Sequence, residues 1–175
     1  LNFLAEFGPA AFVMRARAEG LRDFGASLGP EAAHRVAMGA ETLALRVQRQ
    51  SENAMAMCEF LHAHPKIKKV YYPGLAEHPQ HARAGELFRA FGGLLSFELQ
   101  SHVDLWEFLN RLQVIVKSSN LGDNRTLAIP VAHTIYFEMG PERRARMGID
   151  DSLIRISSGI EDNEDLLADI SAAFD

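Results

Sequence analysis

The sequence contains a single cysteine, Cys58. No disulfide can therefore form within the chain, and this low cysteine content fits a reducing compartment, so we expect a cytoplasmic protein. No apolar run approaches the ~20 residues that a helix needs to cross a bilayer, and no signal-peptide pattern is present, so we expect no membrane partner. The chain begins with Leu1 in place of Met, which indicates a piece of a longer protein.

Positive charge is also scarce. The 18 Lys and Arg residues are outnumbered by 23 Asp and Glu residues, which gives a formal net charge of −5. Nucleic-acid-binding proteins usually present an excess of basic residues, so this class is not expected. Two small basic clusters, in residues 66–69 and 143–146, are interpreted as solvated surface. The chain is long enough, and at 47% hydrophobic residues apolar enough, to bury a core without disulfides.

The pattern of apolar residues predicts an α/β (α+β) fold: a mainly antiparallel sheet with helices on one face, preceded by a long helix. This long helix begins at Pro30 and ends before Pro65, with a bend at Gly39. The predicted strands are KKVYYPG, LLSFELQ, VIVKSS, TLAI and SLIRIS. In LLSFELQ the apolar residues alternate, which predicts Leu95, Phe97 and Leu99 on one face.

Five more helices are predicted from their capping residues and apolar spacing. The first begins at Pro9 and ends at Gly25, and the second, HPQHARAGELFRAFGG, is stopped by its two glycines. The third, SHVDLWEFLNRL, is expected to have Ser101 as its N-cap. The other two are the short segment PERRARM and a final helix that begins around Asp162.

Two kinds of site are not expected. Cys58 falls in the apolar stripe of the long helix, which predicts a buried thiol and not a nucleophile. A metal site is not predicted either, because no group of side chains has convincing ligand spacing. The histidines that come closest are His62, His64, His78 and His81.

Two polar features allow two interpretations each. The stretch SSNLGDNRT is either a turn made of turn-forming residues or a loop whose backbone N–H groups face an anionic ligand. Arg155, in the alternating strand LIRIS, either lies on a solvated face or pairs with Asp123 or Glu161, or it binds a carboxylate through two parallel hydrogen bonds. The residue pattern alone leaves both questions open.

Several motifs, taken in order, resemble one enzyme family. SSNLGDNRTLAIP, GID and LIRISSGIEDNEDLLADI resemble the C-terminal part of the cysteine/methionine-metabolism enzymes that use pyridoxal phosphate (PLP). ETLALRVQRQSENAMAMCEFLHAHPKIKKVYYPGL is similar to the family's long helix, first strand and Tyr-Pro-Gly-Leu turn, and FGGLLSFEL to its next strand. The resemblance implies a fold-type I PLP-dependent transferase. Residues 1–29 would be the end of its PLP-binding large domain with a connecting helix, and residues 30–175 its C-terminal small domain with the long interdomain helix.

The resemblance also implies a substrate site. Arg155 would bind the substrate's α-carboxylate, while Ser119 and Asn120 would reach the substrate from the loop before the Leu-Gly-Asp motif. Ser119 falls where family members differ, so it is expected to help set reaction preference, and Thr134 lies in a further substrate-facing segment. The Schiff-base lysine and the other PLP-binding groups belong upstream in the family. This chain is therefore expected to hold no catalytic or cofactor-binding residue and to be inactive alone.

The implied function is transsulfuration: γ-replacement or γ-elimination on cystathionine or an activated homoserine ester, in a homo-oligomer built as a dimer of dimers. One alternative is sulfhydrylation of O-acetyl- or O-succinylhomoserine to homocysteine, a branch that FGPAA resembles. An alternative of another class is a non-catalytic binding or assembly module. Ile129 and Ile135 stand where the family commonly has histidine, and Gln50 where an Arg-His pair is frequent. These departures indicate a divergent subgroup.

Overall fold

The computed structural model describes residues 2–175, and the chain divides between Thr42 and Leu43 into two compact units. Helix α4 is Pro30–Glu41 and helix α5 is Leu43–Ala63, so the single long helix predicted from the sequence is two helices. The break lies at Thr42 and not at Gly39: Thr42 has the non-helical φ and ψ values of −102° and 6°, and its N–H bonds to Ala40 O. Which parts belong to a large and a small domain stays a prediction.

The first unit consists of helical segments. The single helix predicted from Pro9 is divided into several pieces, and its end at Gly25 is confirmed: Gly25 has φ of +66°, and its N–H bonds to Leu21 O at 2.8 Å. Before α4, the segments are α1 (Phe3–Phe7), a 3₁₀ turn (Gly8–Ala10), α2 (Ala11–Arg15), a π-helical segment (Ala16–Leu21) and α3 (Arg22–Phe24).

A five-stranded sheet forms the centre of the second unit, in the order β1-β2-β5-β4-β3. Three of the four strand pairings are antiparallel and the pairing of β3 with β4 is parallel, as expected for a mainly antiparallel α+β sheet. The strands are β1 (Ile67–Tyr71), β2 (Leu94–Leu99), β3 (Val116–Lys117), β4 (Leu127–Pro130) and β5 (Leu153–Ser157).

Helices cover one face of this sheet and create the core. The predicted alternation in β2 is confirmed, because Leu95, Phe97 and Leu99 are all buried. Ile154 and Ile156 of β5 lie opposite Phe97 and Leu95 in the register and join the same core. The helices of this unit after α5 are α6 (His81–Leu87), α7 (Leu105–Arg111), α8 (Pro141–Arg146) and α9 (Asn163–Ala173), with a 3₁₀ turn at Phe137–Met139.

Two helix ends differ from the sequence predictions. Helix α6 ends at Leu87, well before the two glycines, because Phe88 adopts an extended conformation. The N-cap of α7 is Asp104 and not Ser101, since the Asp104 carboxylate accepts the N–H groups of Trp106 and Glu107 at 2.8 Å. Ser101 lies within the turn from Gln100 to Val103 and is too early in the chain to cap α7. Within residues 2–175, no helix has both the length and the apolar character needed to cross a bilayer.

A buried carboxylate fixes the turn between α7 and β3. Asp169 of α9 accepts hydrogen bonds from three consecutive backbone N–H groups, at 2.7, 3.0 and 2.9 Å. The donors are Gln113, Val114 and Ile115. Without the carboxylate these N–H groups would be left without partners next to the core, so α9 holds the edge of the sheet through one side chain.

Asp169→Ala is expected to lower the free energy of unfolding by about 2–3 kcal/mol, because charge-assisted bonds to buried N–H groups are lost. Urea denaturation measures this change. Asp165→Ala is the matched control: Asp165 is exposed in the first turn of the same helix, where removing an acid costs at most ~1 kcal/mol. Equal losses in the two variants would contradict the role assigned to Asp169.

Candidate functional site

Arg155 lies on the sheet face opposite the helices. Its neighbours Ile154 and Ile156 enter the core, and side chains along a strand alternate between faces. In the register, Arg155 pairs with Ser96 of β2 and with Ile129 of β4. The guanidinium therefore stands in the middle of the sheet, between two strands, and not at an edge.

The guanidinium of Arg155 has few partners. Nη2 donates to the carbonyl oxygen of Ser119 at 2.9 Å, while Nε is buried and has no acceptor. Neither Asp123 nor Glu161 pairs with it in the described part of the chain: Asp123 accepts the Arg125 N–H, and Glu161 binds Thr126. A buried N–H of a cation that lacks an acceptor is unfavourable, so the site is incomplete without one.

The buried carboxylate on the same face is already neutralised. Glu98 lies two residues from Ser96 along β2, and its side chain is only 6% exposed. It pairs with Lys68 at 2.7 Å and accepts the hydroxyl of Tyr71, while Lys68 also pairs with Asp150 at 2.7 Å. The Lys68 hydrogen bond holds the pKa of the Asp150 carboxyl well below its ordinary value, at about 2. Glu98 is thus compensated, and the positive charge of Arg155 is left for another anion.

The loops on either side of Arg155 are joined by several hydrogen bonds, among them Gly122 N–H to Ser157 Oγ at 2.9 Å and Ile160 N–H to Asn124 O at 2.8 Å, and a buried hydroxyl takes part in two more. Thr126 donates this hydroxyl to Glu161 at 2.8 Å and accepts the N–H of Gly159 at 2.9 Å. Glu161 also accepts the backbone N–H of Thr126 at 2.6 Å. Gly159 leaves no room for a side chain, since an added Cβ would lie 2.4 Å from the Asn124 carbonyl oxygen. The junction connects residues 118–126 to residues 157–162.

Helix α5 supports the same two loops. Gln50 donates to the Asp123 carbonyl at 3.0 Å, and Asn53 donates to the carbonyls of Gly159 and Glu161 at 3.2 and 2.9 Å. Gln50 is one of the departures from the family pattern, and here it holds the loop of the Leu-Gly-Asp motif. Several polar groups of SSNLGDNRT therefore bind the chain itself, as the turn interpretation predicts.

The structure brings some of the predicted site residues together. Ser119 and Thr134 line one cleft of about 640 Å³, and Arg155 adjoins it through the Ser119 carbonyl. The Thr134 hydroxyl donates to Pro130 O at 2.7 Å. Asn120 is exposed and does not line this cleft.

Helix α7 contributes residues that the sequence analysis did not assign to the site. Trp106, Leu109 and Asn110 line the cleft opposite the loops. Only the tertiary structure shows which surface α7 shares with the loops. The single tryptophan of the sequence, Trp106, is the one residue of α7 that could have signalled the site, and in the structure it is 51% exposed.

Cys58 is a core residue, as predicted. Its side chain is fully buried, and burial, with a smaller effect of Glu59, raises the pKa of its thiol. A protonated, buried thiol is a poor nucleophile. Among residues 2–175, no group of three or more His, Cys, Asp or Glu side chains has the arrangement of a metal site.

Comparison with known proteins identifies close relatives. A family model described as Cys/Met metabolism PLP-dependent enzyme matches residues 9–175. The O-acetyl-L-homoserine sulfhydrylase 1 of Thermus thermophilus is 40% identical over 175 residues, which cover 99% of this chain and 42% of the relative. The L-methionine gamma-lyase of Pseudomonas putida is 39% identical over 168 residues, covering 95% and 42%.

Solved structures show the same relationship. The O-acetylhomoserine sulfhydrylase of Wolinella succinogenes superposes with a TM-score of 0.83 at 34% identity, covering 99% of this chain and 46% of that structure. The cystathionine gamma synthase of Xanthomonas oryzae pv. oryzae in complex with cystathionine gives 0.79 at 37% identity, covering 87% and 40%. The chain thus spans less than half the length of these relatives.

Thr126→Val is expected to lower the free energy of unfolding by about 1–3 kcal/mol, because Glu161 and the Gly159 N–H lose a buried partner. Amide hydrogen exchange in residues 119–124 should quicken at the same time, since this hydroxyl joins the two loops. Thr134→Val is the control, as it removes only a hydroxyl on an exposed residue. Unchanged exchange in the Thr126 variant would rule out the junction as the support of the loop.

Proposed function

Because the chain belongs to the Cys/Met-metabolism PLP-dependent enzyme family, we propose that it forms the substrate-carboxylate side of a transsulfuration enzyme. The complete enzyme carries out γ-replacement or γ-elimination on cystathionine or an activated homoserine ester. Sulfhydrylation of O-acetyl- or O-succinylhomoserine is a reaction of the same kind, and Arg155 has the same part in it.

One observation carries this proposal: Arg155 is a half-buried cation with no carboxylate partner in the described chain and with a buried Nε that lacks an acceptor. An amino-acid carboxylate supplies what is missing. Its two oxygens match the two parallel N–H groups of a guanidinium, and the charge-assisted pair is stronger than neutral hydrogen bonds.

The contribution of Arg155 to the reaction is positional. Holding the carboxylate fixes the orientation of the bonds at the substrate's Cα, which lowers the entropic part of the barrier. A guanidinium stays protonated throughout, so Arg155 transfers no proton. Ser119 holds the guanidinium in place through its carbonyl oxygen. PLP, held by another part of the enzyme, would supply an electron sink for the chemistry at Cα.

The residues of this chain do not fit the role of holding PLP, so we place the cofactor on a part of the enzyme outside these 175 residues. Each lysine has another contact: Lys66 donates to Phe174 O, Lys68 pairs with two carboxylates, Lys69 lies over the Tyr71 ring, and Lys117 donates to Asn110. Borohydride reduction after addition of PLP should leave no specifically labelled lysine in this chain. A single labelled lysine would overturn the assignment.

The enzyme is further proposed to be a cytoplasmic dimer of dimers. The buried, reduced Cys58 supports a reducing compartment, and the family resemblance supports the assembly. Sedimentation velocity of the complete enzyme tests the assembly, for which a tetramer is expected and a monomer would be contradictory.

In the complete enzyme, Arg155→Ala is expected to lower kcat/KM by a factor equivalent to about 2–4 kcal/mol, mainly through KM, because the carboxylate loses its charged partner. Arg155→Lys should recover little of this loss, since an ammonium cannot form two parallel hydrogen bonds. Steady-state kinetics with the four candidate substrates measure the effect: cystathionine, O-acetylhomoserine, O-succinylhomoserine and methionine.

Arg111→Ala serves as the matched control, because Arg111 lies on α7 in an exposed ion pair with Glu107. Its removal should leave KM within the error of the assay. Unaltered kinetics in Arg155→Ala, or a loss of the same size in Arg111→Ala, would refute the role of Arg155.

A further inference from the structure

The cleft beside Arg155 exists because β3 is short. This strand pairs with β4 only at Leu127 and Ala128, so the outer edge of Ile129 and Pro130 is left uncovered by a strand. Helix α7 and the segment after β4 form the two sides of the opening. The cleft has a volume of about 640 Å³, in the range of a small-molecule site.

The lining of this cleft is mainly apolar. Its apolar lining residues include Ile129, Pro130, Ile135, Trp106 and Leu109. Ile135 is 49% exposed and Trp106 is 51% exposed, so these two side chains present most of the apolar surface of the cleft. Covering these side chains with an apolar ligand group removes apolar surface from water, which lowers the free energy of the complex.

Both departures from the family's histidine pattern lie in this cleft. Ile129 and Ile135 stand where histidines are common, and both residues line the cleft, Ile135 with 49% of its surface exposed and Ile129 with 5%. An imidazole at either position would present a polar nitrogen and favour a polar ligand group. The two isoleucines instead make the lining of the cleft less polar, which favours apolar ligand groups.

The cleft is continuous with the surroundings of Arg155. Ile129 and Arg155 are paired residues of adjacent strands, so their side chains lie next to each other on one face. Ser119 lines the cleft and also accepts the Arg155 hydrogen bond through its carbonyl. A molecule whose carboxylate binds Arg155 therefore has an apolar cleft beside it for the rest of its length.

We propose that this cleft binds the γ-substituent of the amino-acid substrate and selects substituents that end in an apolar group, such as an acetyl ester or an alkyl thioether. A substituent that ends in a charged group, as in cystathionine, is disfavoured, because it would lose hydration among isoleucine and tryptophan side chains. This inference rests on the proposed function, since it takes Arg155 as the carboxylate site.

The polar groups at the cleft do not oppose this preference. Lys117 donates to the side chain of Asn110 at 2.9 Å, so each satisfies the other at the rim. The Thr134 hydroxyl is directed to the Pro130 carbonyl. Ser118 and Ser119 also line the cleft but carry no charge. Lys117 would attract a terminal carboxylate, and the experiment below includes a probe for that outcome.

The test uses NMR of the 175-residue chain with labelled isoleucine δ1 methyl groups. Three unreactive amino acids with side chains of increasing length serve as probes: norvaline, norleucine and 2-aminoheptanoate. We expect the Ile129 and Ile135 methyl signals to shift and the Kd to fall by up to about fourfold per added methylene group. For norleucine the Kd should be on the order of 10 mM, because the ligand is small and contacts only the part of the substrate site that this chain supplies.

A matched probe and a matched variant sharpen the result. 2-Aminoadipate has the chain length of norleucine but ends in a carboxylate, and it should bind more weakly. Ile135→Asn should abolish the dependence on chain length, whereas Ile160→Asn should leave it intact, because Ile160 is 39% exposed and lies outside the cleft. Absence of methyl shifts, equal Kd values along the series, or tighter binding of 2-aminoadipate would each overturn the inference.

Norleucinamide separates this inference from the proposed function. If the amide binds as well as norleucine and the chain-length effect persists, the cleft is confirmed and the carboxylate role of Arg155 fails. If only the acids bind and chain length has no effect, Arg155 keeps its role and the cleft inference fails.

Discussion

The hydroxyl of Thr126 is the contact on which the geometry of the site depends. It joins the loop after β3 to the loop after β5 by bonding both Glu161 and the Gly159 N–H. Those loops flank Arg155, and one of them supplies the Ser119 carbonyl that positions the guanidinium. Because Glu161 is used to hold the backbone of Thr126, it is unavailable to neutralise the arginine. Glu161 therefore has a structural role, and the charge of Arg155 is left for a ligand.

The charges on the open sheet face show the same division. Glu98 is satisfied by Lys68 and Tyr71, and Lys68 in turn binds Asp150. Arg155 is paired with Ser96, two residues from Glu98 along β2, and donates to a single backbone acceptor, the Ser119 carbonyl. A partly buried cation without a counterion lowers the stability of a fold. This cost is offset when a ligand carboxylate binds the cation, which supports a binding role for Arg155.

The sequence predicted those parts of the molecule that depend on local patterns. The alternation in LLSFELQ and LIRIS predicted two central strands and the core residues of β2, and the ordered motifs predicted the family. It failed where tertiary contacts decide. Ser101 and Asp104 are both good N-caps, and only the turn before α7 selects Asp104. The sequence also could not show that Ile129 and Ile135 line one cleft. The course of the segment after β4 depends on tertiary contacts, which the residue pattern does not predict.

The central claim is that Arg155 binds the substrate's α-carboxylate, and its buried Nε–H reports on this directly. In a ¹⁵N spectrum that resolves arginine side chains, addition of norleucine should shift the Arg155 Nε resonance and slow its hydrogen exchange, because an acceptor has arrived. Norleucinamide should do neither. The account would be contradicted if norleucine moved other resonances of the chain while the Arg155 Nε–H kept its shift and its exchange rate.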